Sequence, residues 1–260
     1  MNAIALPRKF PAAPAALIAL APPLAMVSLW LLATGTQWVP EQLLVPPGKV
    51  IEAAAELLES GELQEHLRKS LGRLGLGFFA GAGLGLVFGV LMGLYQSVED
   101  YCAPFFNGFR QVPSIAFIPM LILIFGIEET FKIVIVAKAA FFPVALASYD
   151  SIKGLPRQYF EVAKVYRCPL WPLVKHIVIP ATVPHLLTGL RLSLSRSWMV
   201  LVAAELMAAD SGIGQMMEWG RQMFRMDIVV VGVIVTGSIG FALDRGFKSL
   251  ESRLVRWKAR

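Results

Sequence analysis

Two cysteines and three histidines are all that this chain of 260 residues contains of either type. Cys102 and Cys168 lie far apart, and His66, His176 and His185 are equally scattered. Neither a disulfide framework nor a closely spaced metal site is supported. Charge is scarce as well: 16% of residues are Asp, Glu, Lys or Arg against 56% hydrophobic, below the charged share of a soluble domain. A phosphate loop is missing too, because Gly246-Phe247-Lys248-Ser249 lacks the glycine-lysine juxtaposition, so any ATP site belongs to another chain. Gly75, Gly77 and Ala80 imitate a dinucleotide fingerprint, but no strand precedes them.

What the sequence has instead is apolar length. Its mean hydropathy is +0.63, and a bilayer core needs about 20 consecutive apolar residues per helix. Six spans are expected, at about 13–35, 74–95, 103–126, 130–149, 184–208 and 226–244. The fold class is therefore all-α, a polytopic membrane protein: an N-terminal tail at 1–12, a single domain over 13–249 and a basic tail at 250–260. The first apolar run is longer than the 7–15 residues of a signal h-region and reads as a retained helix. Gln37 to Gly72 is polar, and after Pro46-Pro47-Gly48 it reads as an interfacial or surface helix.

The net charge of +6 comes without an aromatic-basic groove pattern, so the basic residues read as topology signals and not as a nucleic-acid surface. With the N-terminus inside, roughly twice as many Lys and Arg fall on the cytoplasmic side, Arg110 counted among them, as on the other. Both termini and the loop at about 150–183 are then cytoplasmic.

Within the second span Gly77, Gly81, Gly85, Gly89 and Gly93 recur every four residues and form one ridge down a helix. Such a ridge lets another backbone approach closely where lipid supplies no hydrophobic drive. It serves packing inside the subunit or a face that slides during transport. Pro113, Pro119 and Pro143 are expected to bend their helices.

The fifth span is the candidate pathway, carrying Ser193, Ser195, Arg196, Ser197 and Glu205. Arg191 is near enough to its cytoplasmic end to snorkel. Arg196 is about two turns deeper, where a charge faces a cavity or a partner. Ser193, Arg196, Ser197 and Val200 share a helical face. Arg196 is expected either to attract an anion or to pair with a carboxylate such as Glu205 of a neighbouring copy. Lys138 in the fourth span faces the pathway or pairs.

The loop reads Tyr159-Phe160-Glu161-Val162-Ala163-Lys164-Val165-Tyr166-Arg167 and runs on through Ile177 and Ile179 to Pro180. It resembles the EAA loop of bacterial binding-protein-dependent importer permeases: Glu-Ala-Ala, three residues, Gly, nine residues, Ile, one residue, Leu-Pro. Glu161, Ala163, Ile177 and Pro180 match. Val162 replaces the middle of the triplet, and Arg167 takes the glycine position, where a positive φ would be costly. Ser60-Gly61-Glu62-Leu63, Arg110 to Pro119, Phe125-Gly126-Ile127, Thr188 to Arg191, Val202 to Glu205 and Ser211 to Gly214 look like the branch that serves aliphatic sulfonates, taurine and nitrate.

That resemblance implies a type I ABC importer permease fold and a transport subunit that performs no chemistry. Two ATPase subunits would grip Glu161, Val162, Ala163, Arg167, Ile177 and Pro180. A second permease copy would complete the pathway, and a periplasmic binding protein would deliver substrate. ATP and Mg would be bound by the partner, with no cofactor on this chain. The cargo expected is a small anion, an aliphatic sulfonate first, then taurine, nitrate or an aromatic acid. A self-sufficient carrier would show paired inverted repeats, which are not evident, and an enzyme would show a convergent polar constellation, which is absent.

Overall fold

The computed structural model describes residues 15–36, 40, 44–156, 158, 161, 165–166, 168–169, 172, 175 and 179–255, with side chains from residue 21 onward. Its described elements are helical, with no strand among them. Helix α1 is Ala15–Gly35, α2 Pro47–Glu59, α3 Glu62–Leu94, α4 Gln96–Gln111, α5 Ile118–Phe125, α6 Glu129–Lys153, α7 Ile179–Met207, α8 Ile213–Gln222 and α9 Met226–Leu254. Each expected span falls on a helix or, for the third, on a broken pair, but among the described residues only four of the six are long and apolar enough to cross a bilayer.

Three helices, α3, α6 and α9, are long and apolar enough to cross a bilayer, and the pair α4 with Ser114–Phe125 adds a fourth span bent by 92°. The bend has a local cause. Pro113 removes a backbone donor, and Val112 before it is extended at φ −75°, ψ 120°, the region a residue preceding proline prefers. A short 3-10 turn over Ser114–Phe117 restarts the chain, and α5 ends at Gly126 with φ +74°. Pro143 is inside α6, and Pro119 is in the first turn of α5.

The glycine ridge packs α3 against α6 within the same chain. A Cβ on Gly77 would sit 2.6 Å from Val136 Cγ1, and one on Gly85 2.5 Å from the Phe141 carbonyl. Cβ atoms on Gly81 and Gly89 would collide with the Ala137 and Ala145 carbonyls. On α7, Gly189 meets Ala147 of α6 in the same way. The main core gathers Leu74, Ile118, Phe131, Ile135, Trp198, Leu201 and Ile213 from α3, α5, α6, α7 and α8. The opposite faces keep Leu76, Phe79, Leu84, Leu123 and Phe241 exposed, as the side of a membrane helix that meets lipid must.

One sequence boundary is corrected. Helix α3 begins at Glu62, a dozen residues before the expected span, because Gly61 at φ +80° starts a new helix directly after α2 and Glu62 and Glu65 favour its first turn. The stretch 209–225, between the expected fifth and sixth spans, contains α8, whose ten residues are too short to register as a span. Arg110, counted with the cytoplasmic charges, is near the end of α4, beside the break in the third span. As expected, α2 is amphipathic: Val50, Ala53 and Leu57 are buried.

Candidate functional site

The break between α4 and α5 opens a cavity of about 510 Å³ against α6 and α7. Its wall includes Arg110, Gln111, Pro113 and Ser114 from the break, Lys138, Phe142 and Pro143 from α6, and Arg196, Met199 and Val200 from α7. Among the described residues three cations line it, and no carboxylate does. Lys138 Nζ is 4.0 Å from the Phe117 ring centroid and 5.3 Å from that of Phe142, so two aromatic faces hold the ammonium.

The face expected on α7 divides. Arg196 and Val200 reach the cavity, whereas Ser193 and Ser197 are fully buried. Ser193 Oγ donates to the Ala140 carbonyl at 3.0 Å, so it joins α7 to α6. Small residues at this crossing let the helices approach until the hydroxyls are enclosed. Arg191 does not simply snorkel: its guanidinium is 3.2 Å from Asp244 and 3.6 Å from Glu251, both on α9. Thr188 Oγ1 donates to Glu251 at 3.0 Å in the same cluster.

Glu205 is also turned away from the cation cavity, 1% exposed, and its partner is Arg73 of its own chain in place of Arg196 of a neighbour. Arg73 Nη1 donates to Glu205 at 2.8 Å and to the Ser211 carbonyl at 2.6 Å, while Nε donates to Glu129 at 2.6 Å and Nη2 to Ser211 Oγ at 2.7 Å. Ser70 Oγ, 2.9 Å from both Glu205 oxygens, accepts from the Ile213 amide at 3.0 Å, and the Gly214 amide donates to Glu205 at 3.1 Å. His66 Nδ1 accepts from Gly212 at 2.9 Å. A buried carboxylate is tolerable only when charge and hydrogen bonds are supplied together, and here α3 and the Ser211–Gly214 segment supply them. Gly212, at φ +113°, and Gly214 leave no room for a Cβ beside that carboxylate.

The sequence reading missed this cluster although a signal was present. Arg73 is four residues before Gly77, in register with the glycine ridge, and so occupies the α3 face that packs inward. Outside the spans, Arg225 donates to Glu56 at 2.8 and 3.2 Å, tying α2 to the start of α9. Those hydrogen bonds hold the Glu56 carboxyl below its ordinary range. On α8, hydrogen bonds from Arg221 hold Glu218 down to about 2.

Of the loop residues, Glu161 and Pro180 are exposed. Val162, Ala163, Arg167 and Ile177 lie outside the described residues. No group of three or more metal-ligating side chains occurs among the described residues.

The family described as "Binding-protein-dependent transport system inner membrane component" matches over residues 83–256. The protein named as an aliphatic sulfonates transport permease, SsuC, of Bacillus subtilis strain 168 is 37% identical over 236 residues, covering 91% of this chain and 86% of that protein. The taurine transport system permease protein TauC of Escherichia coli K12 is 32% identical over 237 residues, 89% of this chain and 86% of its own length. Among solved structures, an inward-facing MetNI methionine ABC transporter aligns with a TM-score of 0.58 at 20% identity, over 72% of this chain and 94% of the other. That likeness concerns the fold alone.

Proposed function

The chain belongs to the binding-protein-dependent transport system inner membrane component family, the permeases of ATP-driven importers, and from that membership we propose that it carries small anions, aliphatic sulfonates first among them. The observation that carries the anion reading is the cavity lined by Arg110, Lys138 and Arg196 with no carboxylate among the described residues of its wall. The names of the SsuC and TauC relatives, whose cargoes share a sulfonate group, agree with it. Nitrate or an aromatic acid would suit the charge but not that common group.

A family permease works with an ATPase and a substrate-binding protein. In our reading two copies of this chain enclose the pathway, two ATPase subunits hold the ATP and Mg, and both termini and the 150–183 loop face the cytoplasm. Glu161, Val162, Ala163, Arg167, Ile177 and Pro180 form the surface that the ATPase grips. Exposed Glu161 is available for that contact. Pro180 opens α7, the helix that carries Arg196 and Glu205, so closure of the ATPase pair would pull directly on a pathway helix as a rigid body.

The test is co-purification in detergent of the tagged chain with its co-expressed ATPase. Wild type should recover the ATPase, and Glu161→Lys should lose it while folding normally. Recovery by both would move the coupling surface elsewhere. Recovery by neither, with uptake of sulfonate by the chain alone in proteoliposomes, would replace the ATP-driven importer with a self-sufficient carrier.

A further inference from the structure

Five cations of α3, α6 and α7 fall into two groups. Arg73, Lys132 and Arg191 have carboxylates at 2.5–2.8, 3.6 and 3.2–3.6 Å respectively. Lys138 and Arg196 have none within ion-pair distance among the described residues, and both line the same cavity. Lys138 follows Glu129 by nine residues and Arg196 precedes Met207 by eleven, so each is about 14–17 Å in from the same end of the bundle at 1.5 Å per residue. That is half the depth of a hydrocarbon core about 30 Å thick. A charge there costs several kcal/mol unless water, a ligand or a counter-charge meets it.

Apart from Arg110, Gln111 and Ser114 at the break, the rest of the described wall is apolar. Phe117 and Phe142 flank the Lys138 ammonium, and Met199 and Val200 extend that surface on α7. A ligand that satisfies both halves has an oxyanion head and an organic tail. Lysine suits the head as a compact point charge with three donors that can rotate to meet any oxygen arrangement.

Resting on the importer reading above, we propose that this cavity is a binding site for alkyl oxyanions, with Lys138 contacting the anionic head, Arg196 and Arg110 supplying positive potential at the mouth, and Phe142 and Met199 contacting the tail. The site selects organic sulfonates over nitrate, which offers the charge but nothing for the apolar wall. The aromatic pair holds the ammonium without neutralising it, so no ion pair has to break when cargo arrives.

The experiment uses the permease reconstituted in proteoliposomes with its ATPase and binding protein, with labelled ethanesulfonate as the probe. Wild type should take it up. Lys138→Met should lower uptake at least tenfold in a complex that assembles at the wild-type yield, and Lys138→Arg should restore most of the uptake. Uptake by an assembled Lys138→Met complex within twofold of wild type would overturn the site.

A second arm needs no variant. In detergent-solubilised wild type, trinitrobenzenesulfonate should label Lys138, and ethanesulfonate at high millimolar concentration should suppress that labelling at least fivefold more than sodium nitrate of equal ionic strength. Labelling that is absent, or equally suppressed by both salts, would overturn the site even in a complex that transports. Protection at Lys138 without uptake by wild type would instead sink the importer reading and leave the site standing.

Discussion

Arg73 and Glu205 are 132 residues apart in sequence, yet their side chains meet at 2.8 Å with neither more than 2% exposed. The pair ties the first half of the chain to the second where α3, α6 and α7 converge. Charge is matched there by hydrogen bonds from Ser70 and the Gly214 amide, so the carboxylate is satisfied from several sides.

Breaking that pair should be costly. Arg73→Met leaves Glu205 buried without its counter-charge, a change that typically destabilises by about 3–5 kcal/mol. It should sharply lower Tm and the yield of monodisperse protein in detergent. Arg73→Met combined with Glu205→Leu should recover part of the loss, because the unpaired charge is then removed. A double variant no more stable than Arg73→Met alone would show that the cluster matters for its polar bonds and not for the pairing.

The glycine ridge predicts a contrast within one helix. A methyl on Gly81 would run into the Ala137 carbonyl, whereas one on Gly83 would have nothing within 4 Å. Gly81→Ala should destabilise by about 1–3 kcal/mol through overpacking. Gly83→Ala should be neutral or slightly stabilising, since alanine is the better helix former. Thermal unfolding of the two variants side by side checks this, and equal Tm values would contradict tight α3–α6 packing.

Much of the architecture was legible because apolar length and four-residue spacing are local signals. The spans and the ridge follow from 3.6 residues per turn and the thickness of a bilayer. What stayed hidden depends on which helix faces which. Ser193, Arg196, Ser197 and Val200 share a face on a helical wheel, but that face meets α6 on one side and a cavity on the other, so the serines are enclosed and the arginine is not. The place of Arg110 in the cavity wall stayed hidden because nothing local says that Pro113 bends its span by a right angle. Glu205 and Arg73 could be paired only once α3 and α7 were placed together.

Gly212 carries two constraints at once. Its φ of +113° disfavours any side chain, and an added Cβ would clash with the Glu205 carboxylate. Gly212→Ala should therefore cost more than Gly237→Ala, where nothing lies within 4 Å and the backbone is helical. The loss should appear as lower Tm together with faster hydrogen exchange at the amides of Ile213 and Gly214, which donate to Ser70 and Glu205. Slow exchange at those amides in an unfolding-prone Gly212→Ala variant would place the damage elsewhere.

The contact between α2 and the start of α9 should respond to acid. Arg225 donates twice to Glu56, and these bonds lower the carboxyl's pKa in the folded protein. A carboxylate depressed in this way binds fewer protons folded than unfolded. It adds stability above the unfolded value of about 4.3 and loses it as pH falls through the lowered folded value. The pair is solvent-exposed, so the effect is small and screened by salt. Tm measured against pH for wild type and Glu56→Gln should show wild type higher at pH 7 in low salt, with the two curves converging below the ordinary carboxylate range. A gap that persists unchanged into acid would mean that α2 is held by Val50, Ala53 and Leu57 alone, and that the glutamine harms it through packing.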